Sequence, residues 1–160
     1  MFTGPEFAAT LSELRFTHVV WVPDTTIGPW EEAIEATDGL QLIRVCREGE
    51  AWPLAAGLHL GGKQPLVVMQ TTGLYESGDA LRNVIYDLHL PLFALIGVRN
   101  WLVADSKDSA RRFAEPLVHA WQLNAVWLNT PEDKPKFYAH VRACREQQIA
   151  GVAMLAEGAP

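Results

Sequence analysis

The groups in this chain best placed to do chemistry are those that directly follow strand-length apolar runs. Glu48 stands between the run at 40–46 and the segment GEAWPLAAG, which reads as a helix. Its carboxylate would sit near a helix N-terminus and against the core, where burial disfavours the anion while the helix dipole and backbone N–H groups favour it. That opposition suits a proton relay; the same placement also suits a carboxylate that merely stabilises a helix start. Asp24, in Pro23-Asp24-Thr25-Thr26, follows the run at 18–23 and reads either as a functional acid or as an ordinary turn or cap. Thr71-Thr72-Gly73-Leu74-Tyr75 follows the run at 65–70, and Arg99-Asn100-Trp101 follows the run at 92–98. An arginine there can hold an anion in bidentate fashion or serve as a surface or interface residue. The five histidines never fall at i, i+3 or i, i+4 from one another and no H-E-x-x-H occurs, which argues against a metal site built from this chain alone.

Elements must bring these groups together. Apolar runs at 18–23, 40–46, 65–70, 92–98, 125–129 and 149–155 predict six strands. Amphipathic stretches at 7–16, 29–37, 49–60, 78–88, 109–123 and 131–147 predict the helices between them, with start signals at Pro29, Asp79, Ser109 and Pro131. The runs are mostly continuous rather than alternating, as in strands covered on both faces, so the expected architecture is α/β: a doubly wound, mostly parallel six-stranded sheet with helices on both faces. In such a sheet ligands bind beyond the carboxyl ends of the strands, which gathers the acidic, hydroxyl and glycine segments above on one edge. No linker, repeat or charge block divides residues 1–160, and a chain this long buries about 70% of its unfolded surface as one domain without a disulfide.

Charge narrows the partners. Nineteen acidic against thirteen basic residues give −6, which disfavours nucleic acid. Residues 1–80 carry eleven acids and four bases, residues 81–160 eight acids and nine bases, so an anionic ligand should prefer the second half. Cys46 and Cys144 are isolated from each other and read as small core residues in a reducing compartment. The N-terminus lacks the pattern of a secretion signal and no run approaches the roughly 18 apolar residues of a membrane span, so a soluble, cytoplasmic protein with no membrane partner is expected. The six tryptophans, Trp52 among them, read as core and interface packing rather than as a binding platform.

The string CREGEAWPLAAGLHLGGKQPLVVMQTTG resembles the pyrimidine-binding domain of thiamine-diphosphate enzymes. That family shows an arginine or histidine, then a glutamate, then a small-residue helix ending in Ala-x-Gly, then an apolar strand and a glycine-containing loop. Arg47 and Glu48 match it, with Glu48 nine residues before Gly57 as in the family and Glu50 only seven. Val22-Pro23-Asp24-Thr25 and Leu60-Gly61-Gly62-Lys63-Gln64-Pro65 resemble the V-P-D-S loop and L-G-G-K-x-P turn of sulfopyruvate and phosphonopyruvate decarboxylases. The resemblance covers most of residues 17–103. It departs at Tyr75 and Glu76, where the family's S-G-L-G-N loop has glycine and asparagine, and at Asn100, where the family's arginine is followed by glycine. The family's D-x-P-x-H segment is absent.

The resemblance implies a role for each matched residue. Glu48 would hydrogen-bond N1′ of the cofactor's aminopyrimidine and favour its imino tautomer, so that the thiazolium C2 loses its proton and attacks a 2-oxo acid. Thr72, Gly73 and Leu74 would line the pyrimidine pocket. Asp24 would take part in proton transfer or hold substrate, and Thr25, Arg99 and Asn100 would bind substrate, Arg99 by pairing with its sulfonate, phosphonate or carboxylate. The family binds the diphosphate and its Mg2+ through a second domain carrying G-D-G followed by paired asparagines. This chain has only Gly78-Asp79-Ala80, which reads as a helix cap. A β subunit carrying that second domain is therefore implied, in a hetero-oligomer with thiamine diphosphate between the chains. The leading expectation is the α subunit of a two-chain decarboxylase of a small acidic 2-oxo acid. The alternatives are a carboligase or lyase subunit using the same cofactor, and a non-catalytic paralogue acting in assembly or regulation.

Overall fold

The computed structural model describes residues 1–24 and 28–158. Six strands, β1 (His18–Trp21), β2 (Gln41–Arg44), β3 (Pro65–Gln70), β4 (Phe93–Val98), β5 (Ala125–Leu128) and β6 (Gly151–Ala156), form one sheet in the order β2-β1-β3-β4-β6-β5. Every pairing is parallel. Each strand lies within two residues of its predicted run. The runs are continuous because β1, β4 and β6 are buried along their whole length and β3 as far as Met69, whereas the edge strands β2 and β5 are only partly buried.

The winding follows from the handedness of parallel crossovers. The steps β1→β2 and β5→β6 run one way across the sheet, and their helices α2 (Glu31–Glu35) and α7 (Lys134–Gln147) lie with α1 (Gly4–Glu13) on one face. The steps β2→β3, β3→β4 and β4→β5 run the other way. Their helices α3 (Glu48–Leu60), α4 (Thr71–Glu76), α5 (Gly78–Arg82) and α6 (Ser109–Ala120) cover the opposite face. Alternate strand residues feed the two cores: Val19, Trp21, Leu66, Val68 and Leu95 meet α1, α2 and α7, while Val20, Val67, Met69, Ile96 and Met154 meet α3 to α6. On the first face Phe2, Phe7, Trp30 and Phe137 form an aromatic cluster, with the Phe7 and Trp30 rings 4.2 Å apart.

Local signals set most helix ends. Thr3 and Glu6 form a capping box that starts α1 earlier than predicted, and the helix ends before Arg15, whose φ of 56° turns the chain toward β1. The stretch at 29–37 divides into a 3-10 turn, Gly28–Trp30, and the short α2; that at 78–88 divides into α5 and a π-helical turn, Asn83–Asp87. Asp79 lies in the first turn of α5, where it pairs with Arg82 three residues on and caps nothing. The segment after β3, expected as a loop, is α4. Thr and Gly are poor helix formers, but Leu74 inserts into the core and Tyr75 OH donates to Ala110 O at 2.6 Å, so tertiary contacts decide the conformation. Cys144 is buried as expected. Cys46 is exposed instead, because it lies beyond the end of the edge strand β2. No described helix is long and apolar enough to cross a membrane.

Candidate active site

Doubly wound sheets bind ligands at the carboxyl ends of the strands, where the strand order reverses. Here β1 lies between β2 and β3, so the order reverses between β1 and β3, with α3 following β2. Asp24 follows β1, Glu48 opens α3, Thr72, Gly73 and Leu74 lie in α4, and Arg99 and Asn100 follow β4. All share the C-terminal edge of the sheet. Thr25 lies outside the described residues.

Arg47 is the extended N-cap of α3 (φ −144°, ψ 146°) and Glu48 is the first helical residue. The Glu48 side chain lies against Gly73 of α4. A Cβ on residue 73 would stand 2.7 Å from Glu48 Oε1 and 2.8 Å from its Cδ, closer than non-bonded atoms approach, so this seat exists only because residue 73 is glycine. Among the described residues the Glu48 carboxylate makes no hydrogen bond. The two neighbouring acids are engaged: Glu50 accepts from the Cys46 N–H at 3.1 Å, and Glu76 accepts from the Gly49 N–H at 2.7 Å. Glu76 also receives the Arg47 guanidinium, through Nε at 3.1 Å and through Nη2. The Arg47 hydrogen bond and then the Gly49 N–H hold the Glu76 carboxyl below the usual range. Of these three acids, Glu48 is the one whose carboxylate has no hydrogen bond among the described residues.

Within α4, Gly73 borders Glu48 and Thr72 is exposed, whereas the Leu74 side chain packs into the core. The Thr71 hydroxyl, at the first position of α4, is buried without a hydrogen-bond partner among the described residues. Trp52, four residues after Glu48, is fully buried and donates through Nε1 to Ser77 Oγ at 3.0 Å, which ties the interior of α3 to the end of α4.

The loop after β4 is organised by Asp108, which sequence reasoning did not single out. Its carboxylate receives Arg99 Nε at 2.8 Å and Nη2 at 3.3 Å, receives Asn100 Nδ2 at 2.9 Å, and caps α6 through the Ala110 N–H at 2.9 Å. The Arg99 hydrogen bond is the largest of the effects that lower the Asp108 carboxyl to about 2. Asn100 adopts φ 58°, a left-handed conformation that asparagine tolerates. Arg99 spends Nε and Nη2 on Asp108, leaving Nη1 with no hydrogen bond among the described residues.

Glu157 was also missed. It directly follows β6, is 7% exposed, and lies over Gly97 of β4, where a Cβ would stand 2.8 Å from its Cδ. The signal was present, since an acid after the apolar run GVAMLA repeats the pattern that marks Glu48. Asp24 is half-buried; its carbonyl accepts from the Gly28 N–H at 3.1 Å and its carboxylate lies 3.5 Å from Trp21 Nε1. Among the described residues no group of three or more His, Cys, Asp or Glu is placed to hold a metal ion.

Comparison with known proteins gives the family of the chain. Residues 2–100 match the model of the thiamine pyrophosphate enzyme N-terminal TPP binding domain. The chain is 28% identical over 91 residues to sulfopyruvate decarboxylase subunit alpha of Methanothermobacter thermautotrophicus, an alignment covering 57% of this chain and 55% of that one. It is 23% identical over 147 residues to the subunit of the same name from Methanocaldococcus jannaschii, covering 91% of this chain and 87% of the relative. In fold it is similar to benzoylformate decarboxylase from Polynucleobacter necessarius, with a TM-score of 0.76 at 20% identity. That match takes in all of this chain but only 32% of the other, so the chain corresponds to about a third of the larger protein. With the family model spanning more than half of its residues, the chain belongs to the thiamine pyrophosphate enzymes, in which it represents the N-terminal, pyrimidine-binding domain.

Proposed function

We propose that residues 1–160 form one pyrimidine-binding domain acting as the α subunit of a two-chain, cytoplasmic thiamine-diphosphate-dependent decarboxylase, whose substrate is a small 2-oxo acid with an anionic tail of the sulfopyruvate or phosphonopyruvate type. The observation that carries this reading is the seat of Glu48: a carboxylate on the first turn of α3, against a niche cleared by Gly73, with no hydrogen bond of its own among the described residues.

The residues present fit the pyrimidine end of the cofactor. A glycine niche beside an unengaged carboxylate admits a flat ring at close range, and the carboxylate can share a proton with ring atom N1′. When bound, the cofactor supplies a thiazolium carbon that adds to the 2-oxo acid and accepts the electrons released with carbon dioxide. Glu48 holds the proton at N1′, and the backbone of Gly73 and Leu74 with the Thr72 side chain borders the ring. Asp24, at the end of β1, holds substrate or moves a proton near it. Arg99, steadied by Asp108, presents Nη1 to the anionic tail, with Asn100 and Thr25 as further contacts. A β subunit carrying the diphosphate-binding domain holds the diphosphate and Mg2+. The names of the two relatives, each a subunit alpha, support this division of labour.

The test is to isolate the chain from its native source under gentle conditions, identify what co-purifies, measure bound thiamine diphosphate, and supply sulfopyruvate and phosphonopyruvate. The expected result is a partner chain, stoichiometric cofactor, and carbon dioxide with free aldehyde. A hydroxyketone product would replace decarboxylation with carboligation. A chain with neither partner nor cofactor would overturn the proposal.

A further inference from the structure

The two positions at which this chain departs from its family's loop, Tyr75 and Glu76, have a structural use. Gly73 and Glu76 are three residues apart on α4 and therefore share a helix face. That face meets the N-terminus of α3: Gly73 provides the niche for Glu48, and Glu76 reaches both residues that flank it, accepting from the Gly49 N–H at 2.7 Å on one side and from the Arg47 guanidinium on the other. The first N–H groups of a helix have no partner within it, so Glu76 supplies an acceptor to one that would otherwise be left to water. A Cβ on Gly49 would stand 3.3 Å from Glu76 Oε2, so the close approach favours a small residue at 49 as well. Tyr75, bonded to the Ala110 carbonyl at the start of α6, anchors α4 from its other side.

We propose that Glu76 is a positioning residue: it fixes the first turn of α3 so that Glu48 is held toward the cofactor's aminopyrimidine before the cofactor arrives. This rests on the role proposed above for Glu48. The bond to Gly49 matters more than the ion pair, because Arg47 is largely exposed and an exposed pair contributes little. Glutamine at 76 retains an oxygen that can accept from Gly49, whereas alanine has none.

The test uses the full chain and, for turnover, its complex with the partner subunit loaded with thiamine diphosphate and Mg2+. In the chain alone, the Gly49 amide of Glu76→Ala should exchange with solvent at least about tenfold faster than in the wild type, while Glu76→Gln stays near wild type, because exchange reports local opening at that site. In the complex, Glu76→Ala should lose about a hundredfold in kcat with KM and melting temperature little changed, as expected when a reacting group is misplaced by a fraction of its own length. Glu76→Gln should recover most of that loss. Unchanged Gly49 exchange in Glu76→Ala, or a kcat within twofold of wild type, would overturn the proposal. Glu48→Gln run beside them separates the two readings. An active Glu48→Gln enzyme removes the role of Glu48 itself, whereas an inactive Glu48→Gln beside a fully active Glu76→Ala removes only the positioning role.

Discussion

The Glu48 side chain fills the space that a methyl group on Gly73 would take, so the acid after β2 and the glycine after β3 are a matched pair across two helices. This gives Gly73→Ala an unusual signature. Alanine is favoured over glycine in a helix by about 1 kcal/mol, and Glu48, being only partly buried, can swing outward to relieve the clash. Stability should stay within about 1 kcal/mol of wild type by urea denaturation, while turnover falls at least about tenfold, the cost of shifting a reacting group. A parallel loss of stability and activity would instead mark Gly73 as structural only.

Asp108 predicts a window of acid sensitivity. Its folded-state value of about 2 lies below the ordinary 3.8, so its anion contributes stability that is complete above about pH 4 and is lost as pH falls toward 2. Asparagine also caps helices well, so Asp108→Asn removes chiefly the charge that receives Arg99. The variant should be less stable than wild type at pH 7, and the gap should close between about pH 4 and 2. Glu6, also lowered to about 2 through the Thr3 backbone N–H and Lys134, leaves the variant with an acid-range slope of its own. Urea midpoints across that range read both effects.

Gly97 and Glu157 form a second matched pair. Adding a Cβ at 97 brings it to 2.8 Å from the Glu157 Cδ inside a buried strand, so Gly97→Ala should cost about 1–3 kcal/mol by overpacking. Glu157→Ala removes the obstructing carboxylate. The double variant should therefore be more stable than the sum of the single effects predicts, with a coupling of about 0.5–3 kcal/mol in a denaturation cycle.

Much of the fold was legible because buried parallel strands leave continuous apolar runs, and those runs mark all six strands. The prominence of Glu48 was also legible, since an acid between such a run and a small-residue helix stands out. Only the family spacing separates it from Glu50 in the sequence; the structure adds that Glu50 is engaged by the nearby Cys46 N–H and Glu76 by Gly49 and Arg47 across α3 and α4, the latter a pairing no local pattern carries. The helix through Thr71, Thr72 and Gly73 was hidden for a similar reason: its residues are poor helix formers, and Leu74 and Tyr75 hold it by contacts with distant elements. Cys46 looked like a core residue because it ends an apolar run, but that run overshoots its strand at an exposed edge. Arg99 reads from sequence either as a ligand arginine or as a surface or interface residue, and only the structure reveals that Asp108, nine residues on, already occupies two of its donors.

The most direct measurement is turnover of Glu48→Gln in the complex of this chain with its partner subunit, loaded with thiamine diphosphate and Mg2+. Glutamine preserves the shape of the side chain and removes its capacity to hold a proton at N1′. The account predicts that the variant folds, assembles and binds cofactor as the wild type does, yet releases carbon dioxide from its 2-oxo acid at least about a thousandfold more slowly, within the span that positioned acid–base groups contribute. Near-native turnover in that variant would contradict it.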